Sequence, residues 1–264
     1  MYYKSLIISY FIAFYFISPP EASQAFTSKA KLDIPLVSTA FIGCIYSQIQ
    51  FNQLSPTHLT QLEKENLPLH ERWITELYSE NADLASDIFT LGLLTPFFFS
   101  WQESRVQKRS SVLITDLLMF SEALALSSAL NLFVRSVGDN PRPLVYNEKV
   151  PEKSRKAAEA SSSFYSGHVS GAFLTAVYTS YVFQKRNPGS KWSRWVWSTS
   201  LLMSTTVAAL RVAAGKHFLA DIAAGALSGS AFGFFIPWIH LHNPASSRIS
   251  LAATPRNTTF SISF

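Results

Sequence analysis

Six stretches of the chain are dominated by apolar residues and parted by polar ones. They run from Leu36 to Phe51, Leu84 to Trp101, Val112 to Val134, Val169 to Phe183, Trp195 to Ala214 and Ala220 to Ile239. None alternates with period two for long, and Ala, Leu, Ser and Phe dominate, so they predict helices. The sixth repeats small residues (Ala223, Ala224, Gly225, Ala226, Gly229, Ala231, Gly233), which permits close helix–helix approach. The expected fold class is all-α, a bundle of about six helices. Four stretches approach the ~20 residues that a membrane span needs, so the bundle is expected to be membrane-embedded. The competing reading is a water-soluble exported helical protein. Asp116, Glu122 and Asn131 inside the third stretch and the shortness of the second favour it.

Charge between the stretches suggests sidedness. Arg105, Lys108 and Arg109 separate the second and third stretches, and Lys185, Arg186, Lys191 and Arg194 separate the fourth and fifth. Both loops are expected on the cytoplasmic side. Loops 135–168 and 215–219 then face outward, as does the acidic 52–83 stretch with Glu63, Glu65, Glu71, Glu76, Glu80 and Asp83. Met1 to Ala25 has the layout of a secretory signal: Lys4, an apolar run from Leu6 to Ile17, Pro19 and Pro20, then small Ser23 and Ala25. An uncleaved N-terminal anchor is the alternative. Delivery of residue 26 to the outside fits only if Leu36–Phe51 packs beside the bundle without crossing. The expected division is 1–25 signal or anchor, 26–83 peripheral helical segment, 84–241 core bundle and 242–264 polar tail.

Composition narrows the chemistry. A single cysteine, Cys44, excludes an intramolecular disulfide and a Cys-rich zinc site. The six His are too scattered for a zinc-finger or HExxH motif. The net charge of +5 favours anionic partners. No aromatic platform is interleaved with the basic residues, so no nucleic-acid partner is expected.

Three clusters in the outward loops carry phosphate-binding chemistry. In the first, Arg135 and Arg142 stand seven positions apart, with Pro141 and Pro143 stiffening the chain around Arg142. Guanidinium groups match tetrahedral oxyanions with paired N–H donors. In the second, Ser166, Gly167 and His168 precede the fourth stretch. Ser166 is placed as an N-cap, Gly167 lets the free amides of the first turn approach an anion, and His168 can pass a proton. In the third, Arg211 precedes His217 and Asp221, which lie four apart on one helical face. A carboxylate bonded to one imidazole nitrogen fixes the tautomer and frees the other to attack. Taken singly, these are a topology signal, a helix cap and a helix-stabilising pair. Together, in order and at helix ends on one side, they point to one site.

These motifs resemble the type 2 phosphatidic acid phosphatase and vanadium haloperoxidase superfamily, in its membrane-associated lipid phosphatase branch. The signature Lys-x6-Arg-Pro, Pro-Ser-Gly-His and Ser-Arg-x5-His-x3-Asp is met by Arg135-x6-Arg142-Pro143, Tyr165-Ser166-Gly167-His168 and Leu210-Arg211-x5-His217-x3-Asp221. Departures are Arg135 for Lys, Tyr165 for Pro and Leu210 for Ser. The resemblance covers roughly residues 85–240. It implies His217 as nucleophile, giving a phosphohistidine, Asp221 as its orienting partner and His168 as the group that protonates the leaving oxygen. It further implies Arg135, Arg142, Arg211, Ser166 and Gly167 as phosphate ligands, with no metal and no cofactor. The substrate expected is a phosphorylated lipid, as monoester or pyrophosphate, at a bacterial cytoplasmic membrane. Alternatives are a soluble periplasmic acid phosphatase of broad specificity, a vanadium-dependent haloperoxidase and a non-catalytic anion-binding membrane protein.

Overall fold

The computed structural model of the chain describes residues 25–27, 29–52, 63–138, 140–241, 253–254 and 257–258. Most of the expected signal or anchor (1–25) and most of the polar tail lie outside the described residues; Ala253–Thr254 pairs antiparallel with Asn257–Thr258. Seven helices of 11 residues or more form among the described residues: α1 Ala30–Phe51, α2 Glu80–Thr90, α3 Thr95–Gln107, α4 Ser110–Val137, α5 Gly167–Arg186, α6 Trp192–Ala213 and α7 Leu219–Ile239. The second apolar stretch is divided, because a 3-10 turn at Leu91–Leu94 separates α2 from α3. Pro96 stands in the first turn of α3, where its missing N–H leaves no helical bond unmade.

Helices α5 and α7 pack closest. A Cβ on Gly229 would lie 2.0 Å from the Ser170 carbonyl oxygen, and one on Gly225 would lie 2.7 Å from that of Ser166. Only glycine lets the two backbones meet at that separation. The expectation drawn from the small residues of the sixth stretch is met here. Around this contact the core is filled by Met119, Phe120, Ala123, Leu174, Tyr178 and Ile236. The Phe120 ring meets Phe97 and Tyr178 edge-on at 5.3 and 5.1 Å.

Four segments are long and apolar enough to cross a membrane: Asp33–Phe51, Glu80–Gln107, Ser110–Val137 and Leu219–Ile239. Their outer faces expose large apolar residues, among them Ile42, Leu118, Leu227, Phe235 and Trp238. A contiguous apolar exterior of this kind suits lipid rather than water. The bundle is thus a membrane-embedded one.

The helix directions gather four ends together. Helices α4 and α6 finish, and α5 and α7 begin, at one end of the bundle, where all three motif clusters lie. The two basic loops lie at the other end. The Asp116 carboxylate there accepts two hydrogen bonds from the Arg186 guanidinium, both at 2.6 Å, and one from the Ser100 hydroxyl at 2.6 Å. The Asp116 charge within the third stretch, counted above in favour of a soluble protein, is therefore internal and paired.

Helix α1 starts six residues earlier than expected and packs beside α4. Its Cys44 thiol lies 3.7 Å from the Ala125 carbonyl, and Phe51 at its end lies under Arg135. Phe26 bridges to Leu241, and the Thr27 amide donates to the His240 carbonyl at 3.0 Å. Residue 26 therefore lies at the end opposite the motifs. The expectation that it shares their side does not survive, because α1 runs along α4 rather than across the motif end.

Candidate active site

Backbone hydrogen bonds weave the three clusters into one floor. The Arg142 amide donates to the Ala160 carbonyl at 2.9 Å, and the Ser163 amide to that of Asn140 at 2.7 Å, which ties the first cluster to the second. The Leu144 amide donates to the Gly215 carbonyl at 2.9 Å, which ties the first to the third. Gly215 has φ +67, and a Cβ there would fall 2.3 Å from the Leu77 carbonyl oxygen. No L-side chain fits that turn.

His217 follows this turn and is 2% exposed. Its Nδ1 faces the Ser163 hydroxyl at 3.4 Å and the Asp221 carboxylate at 3.6 Å. Asp221 also accepts from the Ser163 hydroxyl at 2.5 Å and from the Phe218 amide at 2.9 Å. The His–Asp relation expected from the four-residue spacing is thus present but longer than a hydrogen bond, and Ser163 stands between the two. Ser163 lies three residues before Ser166, and nothing in the spacing marks it. A fold that brings residue 163 over the start of α7 does.

Burial, followed by the positive charges of Arg142, Arg211, Arg135 and then His168, holds the His217 imidazole well below its ordinary range. It is therefore neutral at pH 7. All three arginines and His168 are thus close enough to act on this ring. Arg142 is buried, and burial with Arg135 beside it pushes it down to about 10, still a cation at neutral pH. Its nearest acid, Glu159, is 3.9 Å away. The buried Nε–H groups of both Arg142 and Arg211 have no hydrogen-bond partner.

Acids from α2 shape the rest of the cup. The Asp83 carboxylate accepts from Arg211 at 2.7 Å and meets the Lys216 ammonium at 3.0 Å. Ser86 adds a bond to Arg211 at 3.1 Å. Asp87 lies 3.0 Å from His168 Nε2. Along the chain Asp83 is one acid of the outer 52–83 stretch, since a partner 128 residues away leaves no local trace.

Ser166 caps α5, its hydroxyl accepting from the Val169 amide at 3.5 Å. Its own amide donates to the Asp221 carbonyl at 3.2 Å. Asn131 presses against Gly167, where a Cβ would meet its Oδ1 at 2.9 Å, and donates to the Tyr165 carbonyl at 2.7 Å. Arg135 donates to the Ser162 carbonyl at 3.3 Å and lies over the Phe51 ring. A cleft of about 490 Å³ opens beside the cup, lined by Arg142, Lys216, Asp83, Lys153, Glu159 and Tyr78. The cup presents several fixed cations, a neutral imidazole and a second imidazole paired with a carboxylate. Such an arrangement can bind a tetrahedral anion and exchange a proton with it.

Residues 116–244 match the model of the PAP2 superfamily. Among solved structures, the first transmembrane PAP2 type phosphatidylglycerolphosphate phosphatase from Bacillus subtilis shows a loose likeness. It is 18% identical over 83% of this chain and 97% of that one, with a TM-score of 0.40. No curated protein matches the chain.

Proposed function

We propose that the chain is a metal-independent phosphatase acting on a lipid phosphate monoester or pyrophosphate through a phosphohistidine. The observation that carries this reading is the pair of buried, unpartnered Nε–H groups on Arg142 and Arg211 around a neutral His217. Buried donors without acceptors are costly, and a phosphoryl group satisfies them.

His217 Nδ1 is turned toward Ser163 and Asp221, so Nε2 is the atom that attacks phosphorus. As the N–P bond forms, the ring becomes cationic, and Asp221 with Ser163 stabilises it through Nδ1–H. The P–O bond to the lipid breaks, and His168 supplies the proton to the leaving oxygen. Burial and then the Arg211 charge lower the proton affinity of His168, and Asp87 on its Nε2 opposes them. His168 then takes a proton from water, which attacks phosphorus and releases phosphate and free His217. Arg135, Arg142 and Arg211 neutralise the equatorial oxygens throughout, with the α5 N-terminus at Ser166 and Gly167 as a further donor.

The substrate's apolar tail follows from the setting. The cup lies at the end of helices that are apolar on their outer faces, so a headgroup can reach it while its chains stay in lipid. The basic loops at the opposite end favour a site on the outer face of the membrane. This topology also puts residue 26 on the basic side.

The test is phosphate release by the detergent-purified chain, without added metal and with chelator present. The panel is phosphatidic acid, phosphatidylglycerol phosphate, a polyprenyl pyrophosphate, lipid A and an aryl phosphate. Lipid turnover that disappears in His217→Ala is expected. Turnover of the aryl phosphate alone, or full activity in the variant, overturns the reading.

A further inference from the structure

The end of the bundle opposite the cup holds a second group of ionisable side chains, which the proposed chemistry does not use. Asp33 at the start of α1, Glu122 within α4 and His240 at the end of α7 meet there, all buried. Helix α7 has 21 residues, so about 31 Å of helix separates His240 from the site at its other end.

Hydrogen-bond accounting fixes the His240 ring. Its Nδ1 is 2.8 Å from the Ile236 carbonyl, an oxygen that can only accept, so Nδ1 carries the proton. Nε2 then faces Asp33 Oδ1 at 2.9 Å and Glu122 Oε2 at 3.6 Å. Three electron-pair donors therefore converge on one point. A proton on Nε2 satisfies Asp33 alone. Glu122 is 1% exposed, and its Oε1 has no hydrogen-bond partner at all. Two carboxylates and one imidazolium would leave a net negative charge inside a membrane bundle, which is costly.

We propose that Asp33, Glu122 and His240 form a structural zinc site. Ligands about 2.0 Å from a tetrahedral zinc lie about 3.3 Å from one another, and the observed 2.9 and 3.6 Å bracket that value. A dication balances the two carboxylates with neutral His240. The free Oε1 of Glu122 is available for the fourth position. The supporting bonds are in place: Ile236 holds the His240 tautomer, and the Lys29 amide donates to the other Asp33 oxygen at 2.8 Å. The ion would join the start of α1 to the middle of α4 and the end of α7, a role separate from the chemistry of the cup.

The untagged, detergent-purified full chain, freed of metal by chelator, is titrated with Co²⁺ and then Zn²⁺. One equivalent of cobalt with the visible absorption of a tetrahedral nitrogen–oxygen site, displaced by zinc, is expected. Glu122→Gln and His240→Gln should each weaken binding by about 100-fold or more, the upper end of what loss of a mere supporting partner costs, while the double variant His168→Ala/His217→Ala binds like wild type. Absence of cobalt binding by the wild-type chain overturns the site and assigns the triad to a proton. Equal binding by the ligand variants also overturns it, as an adventitious ion only. Should either variant fail to fold, wild-type thermal unfolding decides: zinc raises the Tm if the site exists, and an unchanged Tm rejects it.

Discussion

Arg186 and Arg142 are both buried arginines, at opposite ends of the same bundle, and they are treated differently. Arg186 makes two hydrogen bonds to Asp116, each 2.6 Å, and Ser100 braces the carboxylate. Arg142 has a glutamate at 3.9 Å and a buried Nε–H with no partner. Arg211 is intermediate, held by Asp83 through one nitrogen and unpartnered at Nε. A closed pair spends its charge on holding helices together, whereas an open one keeps it for something else. Under the proposed function, that difference separates a structural end from a reactive one.

Substitutions at the two ends should therefore separate stability from turnover. The largest effect is expected at the open end: His217→Ala or Arg142→Ala lowers kcat by about 10³-fold or more, with the helical circular dichroism unchanged. Arg142→Met should also raise the Tm, since it removes a buried charge that lacks a close partner; a fall in Tm would make Arg142 a structural group. At the closed end Asp116→Ala costs about 3–5 kcal/mol because it strands Arg186, read as a lower Tm in detergent. The folded fraction of that variant should keep its wild-type kcat, and a proportionate loss of kcat would erase the distinction.

Ser163→Ala sharpens the open end. Loss of the hydroxyl between Asp221 and His217 should lower kcat about tenfold, by the worth of one charge-linked hydrogen bond, with KM little changed. Ser163→Thr should restore part of it. An unaltered kcat would leave Asp221 acting on His217 directly.

The smallest effect concerns pH. His217 sits well below its ordinary range in the folded chain. Below the free imidazole value of about 6.5, the unfolded chain binds a proton that the folded chain refuses, so stability falls as pH drops. One such group contributes a slope of about 1.4 kcal/mol per pH unit at most. His217→Asn should reduce the slope measured by denaturant unfolding between pH 6.5 and 5. An identical slope would show that His217 protonates freely in the folded chain.

Helix positions were largely legible along the chain because burial against lipid and core demands long apolar runs. Five of the six stretches became single helices, and the second broke at Leu91–Leu94 beside Gly92 and Pro96. The residues Arg135, Arg142, Ser166, Gly167, His168, Arg211, His217 and Asp221 could be named from spacing, since each motif keeps its members within one turn or loop. Ser163, Asp83, Asp87 and Asn131 could not. Each acts on a group at least 34 residues away or on a partner chosen by packing, and no local pattern records that.

The sequence by itself determined an all-helical chain with apolar spans, a surplus of cations and three phosphate-type motifs at helix ends. Those properties follow from side-chain chemistry and short-range periodicity. Only the tertiary structure decided that α1 runs along α4, that Asp116 closes on Arg186, and that Ser163 stands between His217 and Asp221. It also decided which arginines kept an unpaired N–H. Pairing in a buried environment depends on which distant groups the glycine-mediated contact of α5 with α7 and the packing of α2 bring within a few ångströms, and distance in space is not encoded by distance along the chain.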